Sequence, residues 1–407
     1  MKTIEINAGF FLGLQEDYLR SSGAINTARE ITHQPEVWIR IAHGMEEQRE
    51  PFNNFMREAL QVADRIILTG AGTSAFIGLS LRGLWQRSTG IITESIASTD
   101  FVTHPDDWIE SHEIILLVSF ARSGNSPESV AVLQMADQIC RKCIHLIITC
   151  NPEGELAGCK TNSSRYVIVL PAETNDLSLA MTSSYTGMLL TGLLIAKMLK
   201  EEDVKQSVAI AASYAEGLLK HSLRTFQKIA ELNFDRAVFL GSGPLQGTAI
   251  ESHLKLQELT DGHVICKSDS FLGFRHGPKA VVNEKTLVVY LFSNQPYAAK
   301  YERDLVQDMH RGQKPLWQLG IAETELTDPL LDEIVILSEN GNRLDEDFLP
   351  LCMVIPAQLI GFYKSLQLGL QPDAPSASGA ISRVVEGVKI YPFENLSSHN
   401  GSEHPPK

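Results

Sequence analysis

Residues 65–72 read RIILTGAG, and residues 236–243 read RAVFLGSG. Both consist of an arginine, an aliphatic run and a Gly-x-Gly turn, at a constant offset of 171 positions (65 to 236). An uninterrupted aliphatic run closed by glycine is how a strand buried on both faces looks where it hands over to a helix. Two such starts predict a duplicated α/β unit. Around them, short aliphatic runs alternate with longer amphipathic ones, the pattern of parallel strands joined by crossover helices. Strands are expected at Arg65–Leu68, Ile114–Ser119, Ile144–Thr149 and Tyr166–Leu170, then at Arg236–Leu240, His263–Cys266, Thr286–Phe292, Pro315–Leu319 and Ile334–Leu337. Helices are expected over 182–199, 204–230 and Leu351–Leu368.

At 407 residues the chain can hold two units of about 150 to 200 residues, each with its own core. With 43% hydrophobic residues and a mean hydropathy near zero it reads as globular, and only the polar end, SSHNGSEHPPK, reads as loose. A formal net charge of −14 without any long basic run argues against nucleic acid and anionic membrane surfaces. An anionic ligand would therefore have to be held locally, by amides, helix N-termini, hydroxyls or a guanidinium. The six cysteines, at 140, 143, 150, 159, 266 and 352, lack the pattern of a disulfide framework and read as reduced and mostly buried. Cys140 and Cys143 form a C-x-x-C, but no second pair stands at zinc-ligand spacing, so neither metal nor redox use is expected of them. The start, MKTIEINAGFFLGLQEDYL, lacks the basic residues and apolar run of an export signal, and MLLTGLLIAKML at 188–199 is too short to cross a bilayer. A cytoplasmic location is the expectation.

Three stretches carry candidate chemistry. In ESHLKLQELTDGHVICKSDSFLGFRHGP, residues 251–278, a helix would place Glu251, Lys255 and Glu258 on one face, and His276 follows in a tight Arg-His-Gly-Pro turn. A carboxylate and an imidazole with different reference pKa values suit proton shuttling on a small substrate. The plainer alternative is a surface i, i+4 pair with a histidine on a loop. In GAGTSAFIG, from Gly70, the turn glycines Gly70 and Gly72 would let a ligand approach the backbone, and Thr73 and Ser74 would cap the next helix. With Glu94 downstream it also fits a loose dinucleotide fingerprint. That fingerprint leaves SFARSGNSPES, residues 119–129, unexplained. There Ser123, Asn125 and Ser126 stand between a strand and a helix opened by Pro127, where free amides, the helix dipole and hydroxyls favour a phosphate and Arg122 would add charge. The same residues could simply cap and turn. A further cluster, TNDLSLAMTSSYT at 174–186 with Thr182, Ser183 and Ser184, either borders the same crevice or caps the helix that follows.

Taken together, TAREITHQPEVW, GAGTS, SFARSGNSPES, TNDLSLAMTSS, ESHLKLQELTDG, LGFRHGPKA and SRVVEGVKIYPF resemble the double sugar-isomerase, or SIS, domain family over about residues 25 to 393. The chain is most similar to the tagatose-6-phosphate ketose/aldose isomerase group, whose members resemble the isomerase half of glucosamine-6-phosphate synthase and act as galactosamine-6-phosphate deaminases. The resemblance implies an α/β fold of two tandem, doubly wound parallel-sheet domains of three α/β/α layers behind an N-terminal helical segment. The expected division is a helical segment over 1–45, SIS domains over 46–215 and 216–393, and a flexible tail over 394–407.

The resemblance also implies roles. Glu258 matches the carboxylate that moves a proton between C1 and C2, His276 the ring-opening histidine and Lys255 a lysine supporting the open-chain sugar. Gly72, Ser74, Ser123 and Ser126 fall at phosphate or sugar contacts. Where the synthase loop has serine and glutamine, this chain has Ala121 and Arg122, so charge is expected to grip the phosphate more. Where the synthase has a lysine able to form a Schiff base, this chain has Ser382 or Arg383. The expected reaction is conversion of galactosamine 6-phosphate to tagatose 6-phosphate and ammonia without metal or cofactor, in a homodimer or larger homo-oligomer whose subunits share the active site. The alternatives are a simple aldose/ketose isomerase, a glucosamine-6-phosphate deaminase and a non-catalytic sugar-phosphate sensor, with a nicotinamide oxidoreductase further off.

Overall fold

The fold follows from where the aliphatic runs put their side chains. The computed structural model describes residues 9–393 apart from Asn162, Thr327 and Glu386, so the tail expected over 394–407 lies outside the described residues. A short antiparallel strand pair, Phe10–Phe11 with Leu14–Gln15, and a short helix, Glu16–Ser21, lead into three helices, α1 (Ile25–Thr32), α2 (Gln34–Glu47) and α3 (Arg49–Val62). Strand β1 (Arg65–Gly70) then buries Ile66 and Leu68 on one face and Ile67 on the other, each in a separate apolar cluster. Burying such side chains contributes about 1.5–3 kcal/mol each before chain entropy is set against it.

The remaining strands of the first sheet are β2 (Thr93–Ala97), β3 (Ile114–Ala121), β4 (Lys142–Thr149) and β5 (Arg165–Val169). All pair in parallel, in the order β2-β1-β3-β4-β5. The second sheet holds β6 (Arg236–Leu240), β7 (Ile265–Asp269), β8 (Thr286–Leu291), β9 (Trp317–Ala322) and β10 (Glu333–Ile336). It is also parallel throughout, and its order, β7-β6-β8-β9-β10, repeats the first. Two doubly wound sheets of identical topology are thus built from the two aliphatic-glycine starts.

Helices α4 (Thr73–Thr89), α5 (Pro127–Ile139) and α6 (Ser183–Met198) flank the first sheet, and every residue of α6 is buried. Gly192 allows α6 to lie close on α4, since a Cβ there would meet the Leu81 side chain at 2.4 Å. The expected helix over 204–230 is two, α7 (Lys205–His221) and α8 (Leu223–Glu231), broken at Ser222. The expected boundaries at 45/46 and 215/216 fall inside α2 and α7. Helix α9 (Leu245–Leu259) follows β6 and packs against α4 across the two units. Helix α10 (Pro296–Met309) covers the second sheet, and α11 (Ile355–Gln367) closes the fold against α8 and α9. The stretch Glu346–Gln367 has the length and apolarity of a membrane span, yet in its most apolar window 94% of the residues are inside the protein, which marks it as a core element.

Candidate active site

In a doubly wound sheet the chain leaves neighbouring strands in opposite directions at one point, which opens a crevice beyond their carboxyl ends. Here that point lies between β1 and β3, and a cavity of about 680 Å³ occupies it. One wall is the turn after β1, with Gly72, Thr73 and Ser74, and a second is the loop after β3, from Arg122 to Ser126. The floor comes from the other unit, where α9 presents Lys255 and Glu258. A strap of the C-terminal chain, residues 379–385, closes the far side.

Backbone geometry shapes the two loops. Gly72 has φ of 54° and Gly124 has φ of 67°, left-handed values that favour glycine. At Gly124 a Cβ would also press on Gly154 Cα at 3.2 Å. The N-cap residues of α4 and α5, Gly72 and Ser126, make no side-chain cap hydrogen bond to their helices. The first-turn amides of Ser74 and Ala75 donate to the carbonyls of Ala71 and Gly72, and those of Ser129 and Val130 to the Ser126 carbonyl, so what the two helix ends bring to the cavity is the positive end of their dipoles, which suits an anion. Ser123 and Ser126 line the cavity, with the Ser126 hydroxyl donating to Glu128 Oε2 at 2.7 Å.

On α9 the three expected residues do share a face, but the surface-pair alternative fails, because Glu251 and Lys255 are fully buried. Lys255 Nζ lies 2.6 Å from Glu258 Oε2, 3.3 Å from Glu251 Oε1 and 3.1 Å from Thr73 Oγ1. Burial by itself would lower the Lys255 ammonium, but the charges of Glu251 and then Glu258 outweigh it and hold it above the ordinary lysine value. Burial pushes the Glu251 carboxyl up to about 8 even with Lys255 beside it. The buried cation therefore lies between Glu258, which reaches the cavity, and Glu251 behind it, whose carboxyl burial pushes toward its protonated form. Such a set can take up and return a proton while Lys255 balances charge that develops on a substrate oxygen.

The structure does not bring every expected residue to this place. Asn125 is exposed, and its Oδ1 accepts from the Glu155 amide at 2.9 Å, so it ties two loops together outside the cavity. His276 is exposed after the helical turn Phe271–Phe274 and does not line the cavity of its own chain. Arg122 lines the cavity but has other work than the expected grip on phosphate. Its Nη1 donates to the carbonyls of Ser178 and Leu179 at 3.1 and 3.0 Å, and its Nη2 to the carbonyl of Arg383. Ser382 and Arg383 lie on the strap. The Ser382 hydroxyl donates to Val384 O at 2.7 Å, and the Arg383 guanidinium donates to Asp176 O and Asn175 Oδ1 at 2.7 and 2.8 Å. In the 174–186 cluster the hydroxyls neither line the cavity nor cap the helix: Thr182 makes no side-chain cap bond, and Asp176 instead takes the amides of Thr182 and Ser184 at 2.8 and 2.9 Å together with the Ser183 and Ser184 hydroxyls, while Leu179 and Met181 reach the cavity. Sequence reasoning also missed Thr99, just after β2, whose strand it did not foresee, and the role of Thr73 as the partner of Lys255.

Among the described residues Asp137, Cys143 and His145 form the one group with metal-ligand spacing, at the amino end of β4 and away from this crevice. Asp137 there already accepts from His145 Nε2 at 2.8 Å and from the hydroxyls of Thr161 and Ser163.

A family model described as "SIS domain" matches residues 59–198. The chain is 38% identical to the D-galactosamine-6-phosphate deaminase AgaS of Shewanella sp. strain ANA-3 over 93% of this chain and 95% of that protein. A solved structure of a tagatose-6-phosphate ketose/aldose isomerase from Escherichia coli superposes with a TM-score of 0.82 at 36% identity, covering 91% of this chain and 97% of that one. A structure of a candidate isomerase of the same name from Clostridium novyi NT superposes with a TM-score of 0.89 at 38% identity, over 94% and 99% of the two chains.

Proposed function

The chain belongs to the SIS-domain family of phosphosugar isomerases and deaminases, and from that premise we propose that it converts galactosamine 6-phosphate and water to tagatose 6-phosphate and ammonia. The single observation that carries this reading is the convergence of Glu258 and Lys255 with the two anion-suited loops on one cavity, although α9 and those loops come from different units. In the proposed pose the phosphate lies at Ser74, Ser123 and Ser126 and the N-termini of α4 and α5. C1 and C2 then lie at Glu258.

Glu258 removes the C2 proton of the open-chain aldehyde and returns it at C1, and Lys255 balances the charge on the C1 oxygen. The product of that transfer is an imine at C2, to which water adds. Ammonia then leaves and the ketone remains. Phosphate contacts remote from the reacting carbons supply orientation. We assign ring opening to His276 of a second copy of the chain in a homodimer, because it is exposed and stands outside its own cavity. In this reading the described chain is organised as an N-terminal segment up to residue 45 with units over 46–215 and 216–393. We place it in the cytoplasm, where its six free cysteines stay reduced.

The test is an ammonia-release screen over amino-sugar 6-phosphates. Wild type should release ammonia fastest from the galacto sugar. Glu258→Gln should lose at least about 100-fold in rate while keeping substrate affinity. Co-expressing Glu258→Gln with His276→Ala should restore about a quarter of wild-type activity if one dimer site in two is rebuilt in half the dimers. Retained turnover in Glu258→Gln would remove its role. Tagatose 6-phosphate isomerisation without ammonia release would favour a simple ketose/aldose isomerase, the activity for which the Escherichia coli relative is named.

A further inference from the structure

The strap over the cavity is held by a carboxylate that never reaches the cavity. Glu30, on α1, is 5% exposed, and its Oε1 accepts from the amides of Leu177 and Ser178 at 2.6 and 3.2 Å. The Ser178 and Thr27 hydroxyl oxygens lie 2.9 Å apart, and Thr27 donates its amide and its hydroxyl proton to Asp373 Oδ1, both at 2.8 Å. The opposite edge of the same turn offers its carbonyls at Ser178 and Leu179 to Arg122. Arg122 also binds the carbonyl of Arg383 on the strap, and the Arg383 guanidinium returns to Asn175 and Asp176. The turn 175–179 is thus the junction of the N-terminal helix, the β3 loop and the strap. Glu30 Oε2 has no hydrogen-bond partner, so the group is held at one oxygen only.

We propose that Glu30 is a positioning residue: through the 175–179 turn it fixes the strap over the bound substrate, and loss of its proton loosens that hold. Asp176 on the turn is the charged group that bears on this carboxyl, while Arg122 from the end of β3 and Arg383 from the strap meet the same turn at its backbone carbonyls, and Asp373 reaches it through Thr27. Burial, and after it the charge of Asp176, push Glu30 up to about 7. Above that pH a second buried negative charge stands beside Asp176 at the turn, and the two repel.

This inference rests on the cavity being the substrate site, and the experiment separates the two. Limited trypsin digestion, read by mass spectrometry as cutting after Arg383, reports the strap directly and needs no substrate. Glu30→Ala should be cut about tenfold faster than wild type and raise KM about tenfold with kcat within about twofold, the scale of losing a buried hydrogen-bonded anchor. Glu30→Gln keeps the shape and carries no charge, so it should abolish the rise in wild-type KM across about pH 6 to 8 and show the low-pH cutting rate throughout. Wild-type cutting and a wild-type pH profile of KM in both variants would overturn the proposal. Faster cutting with an unchanged KM would also overturn it as a statement about substrate, and the Glu258→Gln assay then tells whether the cavity assignment fell with it.

Discussion

Glu251 shows what burial does to a residue whose sequence setting looks ordinary. An i, i+4 glutamate and lysine pair reads equally well as a solvated helix face, and only the packing of α9 against α4 removes both groups from water. The folded carboxyl then titrates near about 8, raised from an unfolded value of 4.5, so its contribution to stability is complete below about 4.5 and is lost as pH rises toward about 8. Glu251→Gln has no proton to lose there. Relative to wild type it should gain stability by up to about 1.4 kcal/mol per pH unit inside that window, measured as denaturant midpoints at successive pH values. Parallel pH curves for the two proteins would show that Lys255 keeps Glu251 ionised. Asn125 falls outside the cavity for the opposite reason, and Arg122 lines it with its guanidinium already committed. Their residue types were right for a phosphate loop, but one is buried against three carbonyls and the other turned toward Glu155, choices made by partners far away in sequence.

At the scale of elements, the strands that were legible are those whose runs are apolar on both faces, such as Ile114–Ala121 and Thr286–Leu291. Strand β2 (Thr93–Ala97) was missed because it lies at a sheet edge with Glu94 half-exposed in it, and that glutamate reads more readily as a ligand for a ribose than as part of a strand. Strand β7 was placed early, at His263–Cys266, because Lys267 and Asp269 hide its true end at an edge that water reaches. Loop conformation was legible where glycine was obligatory. Gly124→Ala would force a Cβ into a left-handed position and against Gly154, at a cost of about 1–3 kcal/mol in the loop. Because that loop carries Ser123 and Ser126, the variant should weaken competitive inhibition by inorganic phosphate at least about tenfold while Glu258 chemistry, read as kcat, falls far less. An unchanged inhibition constant would place the phosphate elsewhere.

The two sheets share one strand order, and the proposed chemistry uses only one of the two places that correspond in them. The offset of 171 that superposes the glycine turns also sets Ser80, Leu84 and Arg87 of α4 opposite Glu251, Lys255 and Glu258 of α9. A second crevice of about 460 Å³ does lie beside Leu84, Arg87, Pro244 and Gln295. Its polar groups are spent on one another: Arg87 binds Asp347 at 2.8 Å, and Lys197 binds Glu202 and Asp345 at 3.1 and 2.5 Å. The loop after β8, which corresponds to the anion-suited loop after β3, meets carboxylates of its own chain instead. The Ser293 amide donates to Glu302 at 3.0 Å and the Ser293 hydroxyl to Glu346. An anion entering there would displace those carboxylates or be repelled by them, and it would find no equivalent of Lys255 or Glu258 beneath it. Each unit thus lends the other what it lacks, the first its loops and the second its helix, and the second copy of the crevice persists as an ion-paired seam. Titrating the inactive Glu258→Gln chain with tagatose 6-phosphate in a calorimeter should therefore give one site per chain. Two sites per chain of comparable affinity would mean that the second crevice had kept its ligand.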